Sequence, residues 1–188
     1  MLVRQKYGTR EDFLVKMNPS VQKLAWDNRE RAHFGDAPTL TIMRHTYGEG
    51  FPASWLMPQI LDLVVYSNSR GTLDEHQMEC LADAIVSEFY YLKASELMLF
   101  FYGLKLGKYG HFYGVVDPMK ITEALAEFAK ECDEVRADRE REINRKERDE
   151  HDKTAMSPAE YCRMKGYPEG TSIVDIVMQE MNNEKKKG

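Results

Sequence analysis

Cations, aromatic rings and glycines crowd into one short stretch of this chain, KLGKYGHFYG at 105–114, between two apolar segments of helical character. Glycine lets a backbone take turns that other residues resist, and loops held by rigid elements are where binding groups concentrate. Tyr109, Phe112 and Tyr113 offer ring faces on which unpaired bases could stack, while Lys105, Lys108 and His111 offer cations for phosphates. Proteins that hold single strands combine the same two features, so single-stranded DNA is one ligand this chemistry could take. Two other readings of the same residues stand beside it. One is a contact surface for a protein; the other is a tight corner whose rings plug the gap between packed helices while the lysines stay solvated.

Other chemistry is poorly represented. His33, His45, His76, His111 and His151 fall in separate segments with no HxxxH, HxH or Cys-His ligand spacing, so no metal site is expected. Asp83, Glu88 and Glu96 each lie beside an apolar stripe, where a capping or solvated role explains a carboxylate more simply than acid–base work in a hydrolase. Gly103, Gly107, Gly110 and Gly114 make neither a phosphate-binding loop of the G-x-x-x-x-G-K-[ST] type nor a dinucleotide fingerprint, because no strand precedes them. The expectation is no catalytic residue and no cofactor. Cys80, Cys132 and Cys162 are far apart without a CxxC pair, which reads as reduced thiols serving as small apolar fillers in a cytoplasmic protein.

At 188 residues and 43% hydrophobic, the chain can bury one core and carry appendages. The net charge of −5 excludes a broadly basic nucleic-acid binder, so any such contact has to be local. Most of the excess acid falls in 121–188. No apolar run reaches the length of a secretory leader or of a membrane span of roughly 20 residues, so neither export nor membrane insertion is expected.

The elements that would position the loop are helical throughout. Residues 1–18 lack periodicity and read as a flexible arm. Asn18 and Pro19 open a helix with Val21, Leu24, Ala25 and Asn28 on one face, ending near Gly35. Leu40, Met43 and Tyr47 repeat at helical spacing before Gly48, and 53–66 is apolar on nearly all sides, as in a helix enclosed by others. Met78, Leu81, Ile85, Phe89 and Leu92 mark another helix. Ser95 then caps a run through Tyr102, for which helix is preferred to strand because no second strand pattern could pair with it. Asp117-Pro118 starts the next helix, with Ile121, Leu125, Phe128, Cys132 and Val135 along its stripe. Beyond it the stripe disappears in RADREREINRKERDEHDK, where pairs such as Glu142 with Lys146 suit a solvated helix.

The resulting fold class is all-α: a compact helical bundle with a long charged helix and a small helical C-terminal extension. It divides into an arm at 1–18, a core domain at 19–135, the exposed helix at 136–156 and an extension at 157–188. In the extension, Ile173, Ile176, Val177 and Met181 line an amphipathic helix suited to docking a partner.

The run YLKASELMLFF at 91–101, followed by GKYGHFYGVVDPMKI, resembles a family of small uncharacterised helical proteins of bacteroidete phages and integrative elements. APTLTIMRHTYGEGF and WLMPQI upstream are similar to it as well, so the likeness spans about 37–135. That resemblance implies an accessory protein of a mobile element. The helical layout also resembles phage helicase loaders and replisome organisers. This second likeness implies a protein partner, such as a replicative helicase or another replication protein, docked by the acidic helix and tail. Lys105, Lys108, Tyr109, Phe112 and Tyr113 would then make the contact, without catalysis. The alternative is a protein-interaction module or regulator of a host complex that binds no nucleic acid.

Overall fold

Short polar residues ahead of the apolar repeats decide where the helices begin. The computed structural model describes residues 2–67, 73–110, 116–154, 156–168, 172, 174–178 and 181. They form α1 (Leu2–Tyr7), α2 (Arg10–Lys16), a 3-10 turn (Pro19–Val21), α3 (Gln22–Asp27), α4 (Arg29–Phe34), α5 (Leu40–Tyr47), α6 (Phe51–Ser67), α7 (Glu75–Glu88), α8 (Ala94–Lys105), α9 (Pro118–Thr154) and α10 (Pro158–Lys165). No strand occurs among the described residues, and the fold is all-α. Thr9 with Asp12, Asp74 with Gln77 and Ser157 with Glu160 form reciprocal capping boxes, which satisfy backbone N–H groups that have no partner within the first turn. The chain divides into two compact units, Met1–Asp138 and Arg139–Gly188.

In the first unit α8 is the enclosed helix. Leu97, Met98, Leu99, Phe100, Phe101 and Leu104 are all buried, leaving almost no polar face. Helices α3, α4 and α6 pack on it, and α6 also meets α5 and α7. The expectation of an enclosed 53–66 needs correction, because Leu61, Val65 and Tyr66 of α6 stay exposed. Apolar composition marked both helices as interior; only the order of packing decides which one is covered on all sides.

The N-terminal segment also departs from its sequence reading. Residues 2–18 are folded against the core, with Tyr7 buried and Phe13 inaccessible. The Phe13 ring sits 5.2 Å from Tyr7, 5.5 Å from Tyr47, 5.6 Å from Phe51 and 6.3 Å from Trp55, centroid to centroid. Arg4 Nη2 donates to Thr46 O at 2.9 Å, and the Arg10 guanidinium donates to Tyr47 O. One aromatic anchor on a seven-residue helix leaves no period to detect, so the pattern could not announce it.

A further correction lies at Asn28. The continuous helix expected after Asn18 breaks into α3 and α4, because the Asn28 amide donates to Leu24 O at 3.0 Å and competes with the helical ladder. The inner face of α3 also differs from its sequence reading: Leu24 is 59% exposed, and Gln22 is inside, donating to Gln59 Oε1 at 2.7 Å. Gln59 Nε2 and Trp55 Nε1 both donate to Met17 O, at 3.1 and 2.8 Å, tying the end of α2 to α6. Ser95, expected as a cap, lies one residue inside α8 and donates to Ala32 O at 2.6 Å, while Lys93 holds the N-cap position.

Residues 144–153 of α9 are exposed throughout. Glu142 and Lys146 pair at 2.6 Å, one turn apart. In the second unit Cys162 and Ile176 are buried, whereas Val174, Val177, Met178 and Met181 are exposed. Ile173 lies outside the described residues.

Candidate functional site

The glycine loop begins as the end of a helix. Gly107 takes a positive φ of 75°, Lys108 N–H donates to Gly103 O at 3.0 Å, and Gly107 N–H donates to Leu104 O at 3.0 Å. This is a Schellman closure, and it gives the glycine a capping role independent of any ligand. Gly110, at φ 95°, closes the following turn on Gly107 O.

Capping places Lys108 and Tyr109 over the middle of α9. The Lys108 ammonium pairs with Glu131 and donates to Tyr109 Oη at 2.9 Å; Tyr109 O–H in turn donates to Glu131 Oε2 at 3.2 Å. The Tyr109 ring is half-buried, 5.6 Å from Phe100 and 6.4 Å from Phe128 between centroids. Burial, reinforced by the Glu131 carboxylate, pushes its phenol well above the ordinary tyrosine range. Lys105 pairs with Asp62 and lies 5.7 Å from the Tyr66 ring centroid. Each described loop lysine therefore meets a carboxylate of the same unit. His111, Phe112 and Tyr113 lie outside the described residues.

Beside this cluster opens a cleft of about 290 Å³. Trp26, Phe34, Tyr109 and Phe128 form its aromatic walls, and Arg29, Glu30, Lys108 and Glu131 stand around it. The Arg29 guanidinium lies 4.1 Å from the Trp26 ring centroid, a cation–π stack. Gly103 makes the close approach possible: a Cβ there would meet Trp26 Cζ3 at 3.2 Å and Tyr109 Cε2 at 3.3 Å. Two cations and two carboxylates leave the cleft electrically balanced.

Behind the cleft, residues of α4, α8 and α9 converge. Glu96, inaccessible to solvent, accepts from Arg136 Nη2 at 2.7 Å on each oxygen and from Lys93 N–H at 2.9 Å. His33 Nδ1 lies 3.2 Å from Glu96 Oε1, its ring stacked on Phe128. The Lys93 ammonium donates to His33 O and Gly35 O at 2.7 and 2.8 Å, satisfying carbonyls at the end of α4. Donor atoms of His33, Glu96 and Cys132 all lie within 4.8 Å of one another, a convergence that linear spacing did not reveal. Its chemistry fits an ion pair better than a metal centre. A cation would have to displace Arg136 from Glu96 and remove the Cys132 proton, which burial and the Glu96 charge both retain by raising that thiol's pKa. Cys80 corrects the apolar-filler reading in the other direction: it is exposed on α7, 3.7 Å from His76 Nε2. Asp83 and Glu88 are exposed while Glu96 is buried, so these three carboxylates occupy unlike surroundings.

Sequence reasoning singled out Lys108 and Tyr109 but missed Trp26, Arg29, Glu131 and Arg136. The i,i+3 spacing of Trp26 and Arg29 was the one visible signal among them.

Fold and cleft together define an all-α protein carrying a small aromatic recess in its N-terminal unit. The chain belongs to DUF6633, a family of unknown function, which matches residues 75–182, more than half of its length. That match takes in Glu96, Lys108, Tyr109, Glu131 and Arg136 and leaves out Trp26 and His33. No curated protein and no solved structure matches the chain.

Proposed function

We propose that this protein is a non-enzymatic protein-interaction module rather than a nucleic-acid binder. The observation that carries this reading is the internal pairing of Lys105 with Asp62 and of Lys108 with Glu131. Affinity for phosphates comes largely from counterions released as free cations engage them, and lysines already facing carboxylates release few. Tyr109 is held by its hydroxyl and packed on Phe100 and Phe128, which hinders base stacking on that ring. Trp, Tyr, Phe and Arg around a balanced recess are instead the residues that anchor protein interfaces. At about 290 Å³ the recess is at or below the small end of small-molecule pockets, and it suits one or two side chains of a larger partner. Val177 and Met181 add exposed apolar groups on the second unit for docking. The sequence resemblance supports a setting on a mobile element, with a replicative helicase or another replication protein as partner.

Affinity capture from cells of the protein's own source, using the intact chain with and without nuclease, tests this reading. The expected outcome is a defined protein retained equally under both conditions. Capture that nuclease abolishes, or that brings down nucleic acid alone, would contradict it.

A further inference from the structure

A second concavity lies on the same unit, between α2, α3, α4 and the chain leading into α5. Its floor is Met17, Val21, Leu24, Ala25 and Met98, and it encloses about 240 Å³. Leu24 is 59% exposed there, because α3 turns Gln22 rather than Leu24 toward the core. That volume is below the usual range for small-molecule pockets, so the groove suits side chains presented by a larger body.

The rim carries sign. Lys6, Lys16 and Arg31 border the groove against one carboxylate, Asp36. Asp36 pairs with Lys6 and Asp12 faces Lys16 from the same helix, so the rim keeps an excess of positive charge, centred on Arg31, on a chain of net charge −5. The Lys16 ammonium donates to Lys6 O at 3.1 Å and Tyr7 O at 3.3 Å, contacts that fix its position. The Arg31 guanidinium also acts on Asp36, helping Lys6 to hold that carboxyl below the usual carboxylate range.

We infer that this groove docks an acidic amphipathic helix of a partner protein, an inference that rests on the interaction-module reading and gives that partner its chemistry. Apolar anchors at helical spacing would enter over Leu24 and Val21, and flanking Asp or Glu side chains would meet Arg31 and Lys16. Complementary charge favours acidic helices over basic ones and speeds their encounter. A nucleic acid would match the cations but would leave an aliphatic floor unused.

The test is fluorescence anisotropy of two labelled synthetic helices titrated with the intact protein. Both carry leucines on one face; one carries glutamates on the other face, its twin lysines. Saturable binding of the glutamate helix is expected, at least about ten-fold weaker for the lysine twin and for Arg31→Glu, and lost in Leu24→Asp. Leu24→Asp alters an exposed residue, and an unchanged circular-dichroism melt would exclude unfolding as the cause. No binding, equal affinity for the two helices, or binding indifferent to Leu24→Asp would overturn the inference. Self-association of the protein that Leu24→Asp abolishes would also overturn it, by making a second copy the occupant. If the nuclease-resistant partner is still captured by Leu24→Asp, the groove assignment falls while the module reading stands; if the unaltered chain captures no protein, both fall.

Discussion

Replacing Phe13 with alanine is expected to cost about 4 kcal/mol of folding stability, a large share of what a domain of this size has to lose. The ring is inaccessible and touches four other aromatic residues, Tyr7, Tyr47, Phe51 and Trp55, so truncation removes apolar burial and leaves a cavity lined by rigid rings that cannot close it. Edge-on and tilted ring contacts add to the loss beyond the area involved. A urea titration followed by circular dichroism reads the effect as a lower midpoint at unchanged slope. A change below about 1 kcal/mol, the size of a surface substitution, would instead make the first eighteen residues an arm.

Arg136→Ala is expected to cost about 3 kcal/mol, because it strands the Glu96 carboxylate in a site with no access to water. The figure is at the lower end for buried pairs, since the Arg136 side chain is itself 32% exposed and the His33 ring and Lys93 N–H stay beside the carboxylate. The same physics gives an opposite result for the pair: Glu96→Leu combined with Arg136→Met should recover most of the loss, because no buried charge is then left unmatched. Thermal or urea melts of the single and double variants form the cycle. Equal destabilisation in both would show that packing, not charge, dominates this corner.

Helices with repeated apolar spacing were legible from sequence, as Leu40, Met43 and Tyr47 of α5 and the Ile121 to Cys132 stripe of α9 are all buried as their spacing implies. What the pattern could not reveal depended on single atoms or on contacts across the fold. The break at Asn28 follows from one side-chain amide reaching Leu24 O, and Leu24, which periodicity had placed inside, is exposed because Gln22 takes the inner position by bonding Gln59. Helices α6 and α8 look equally interior by composition and each meets three other helices, but the neighbours of α6 leave Leu61, Val65 and Tyr66 uncovered. In the loop, residue types marked Lys108 and Tyr109 as groups to watch. Their meaning changed once Glu131, 22 residues from Tyr109, came within hydrogen-bond reach and neutralised the lysine. Glu96 was visible as one carboxylate among several, but its convergence with His33 and Arg136 needed three helices to be placed first.

Whether the loop's cations are spent internally is open to direct measurement: a labelled single-stranded oligonucleotide titrated with the intact protein at low and physiological salt, with Lys108→Ala alongside. The expected result is no saturable binding up to about 10⁻⁴ M protein, the weak end of non-specific association, and no difference between the two proteins. Tighter binding that falls steeply with salt and weakens in Lys108→Ala would contradict the account, because it would mean that the ammonium leaves Glu131 for a phosphate.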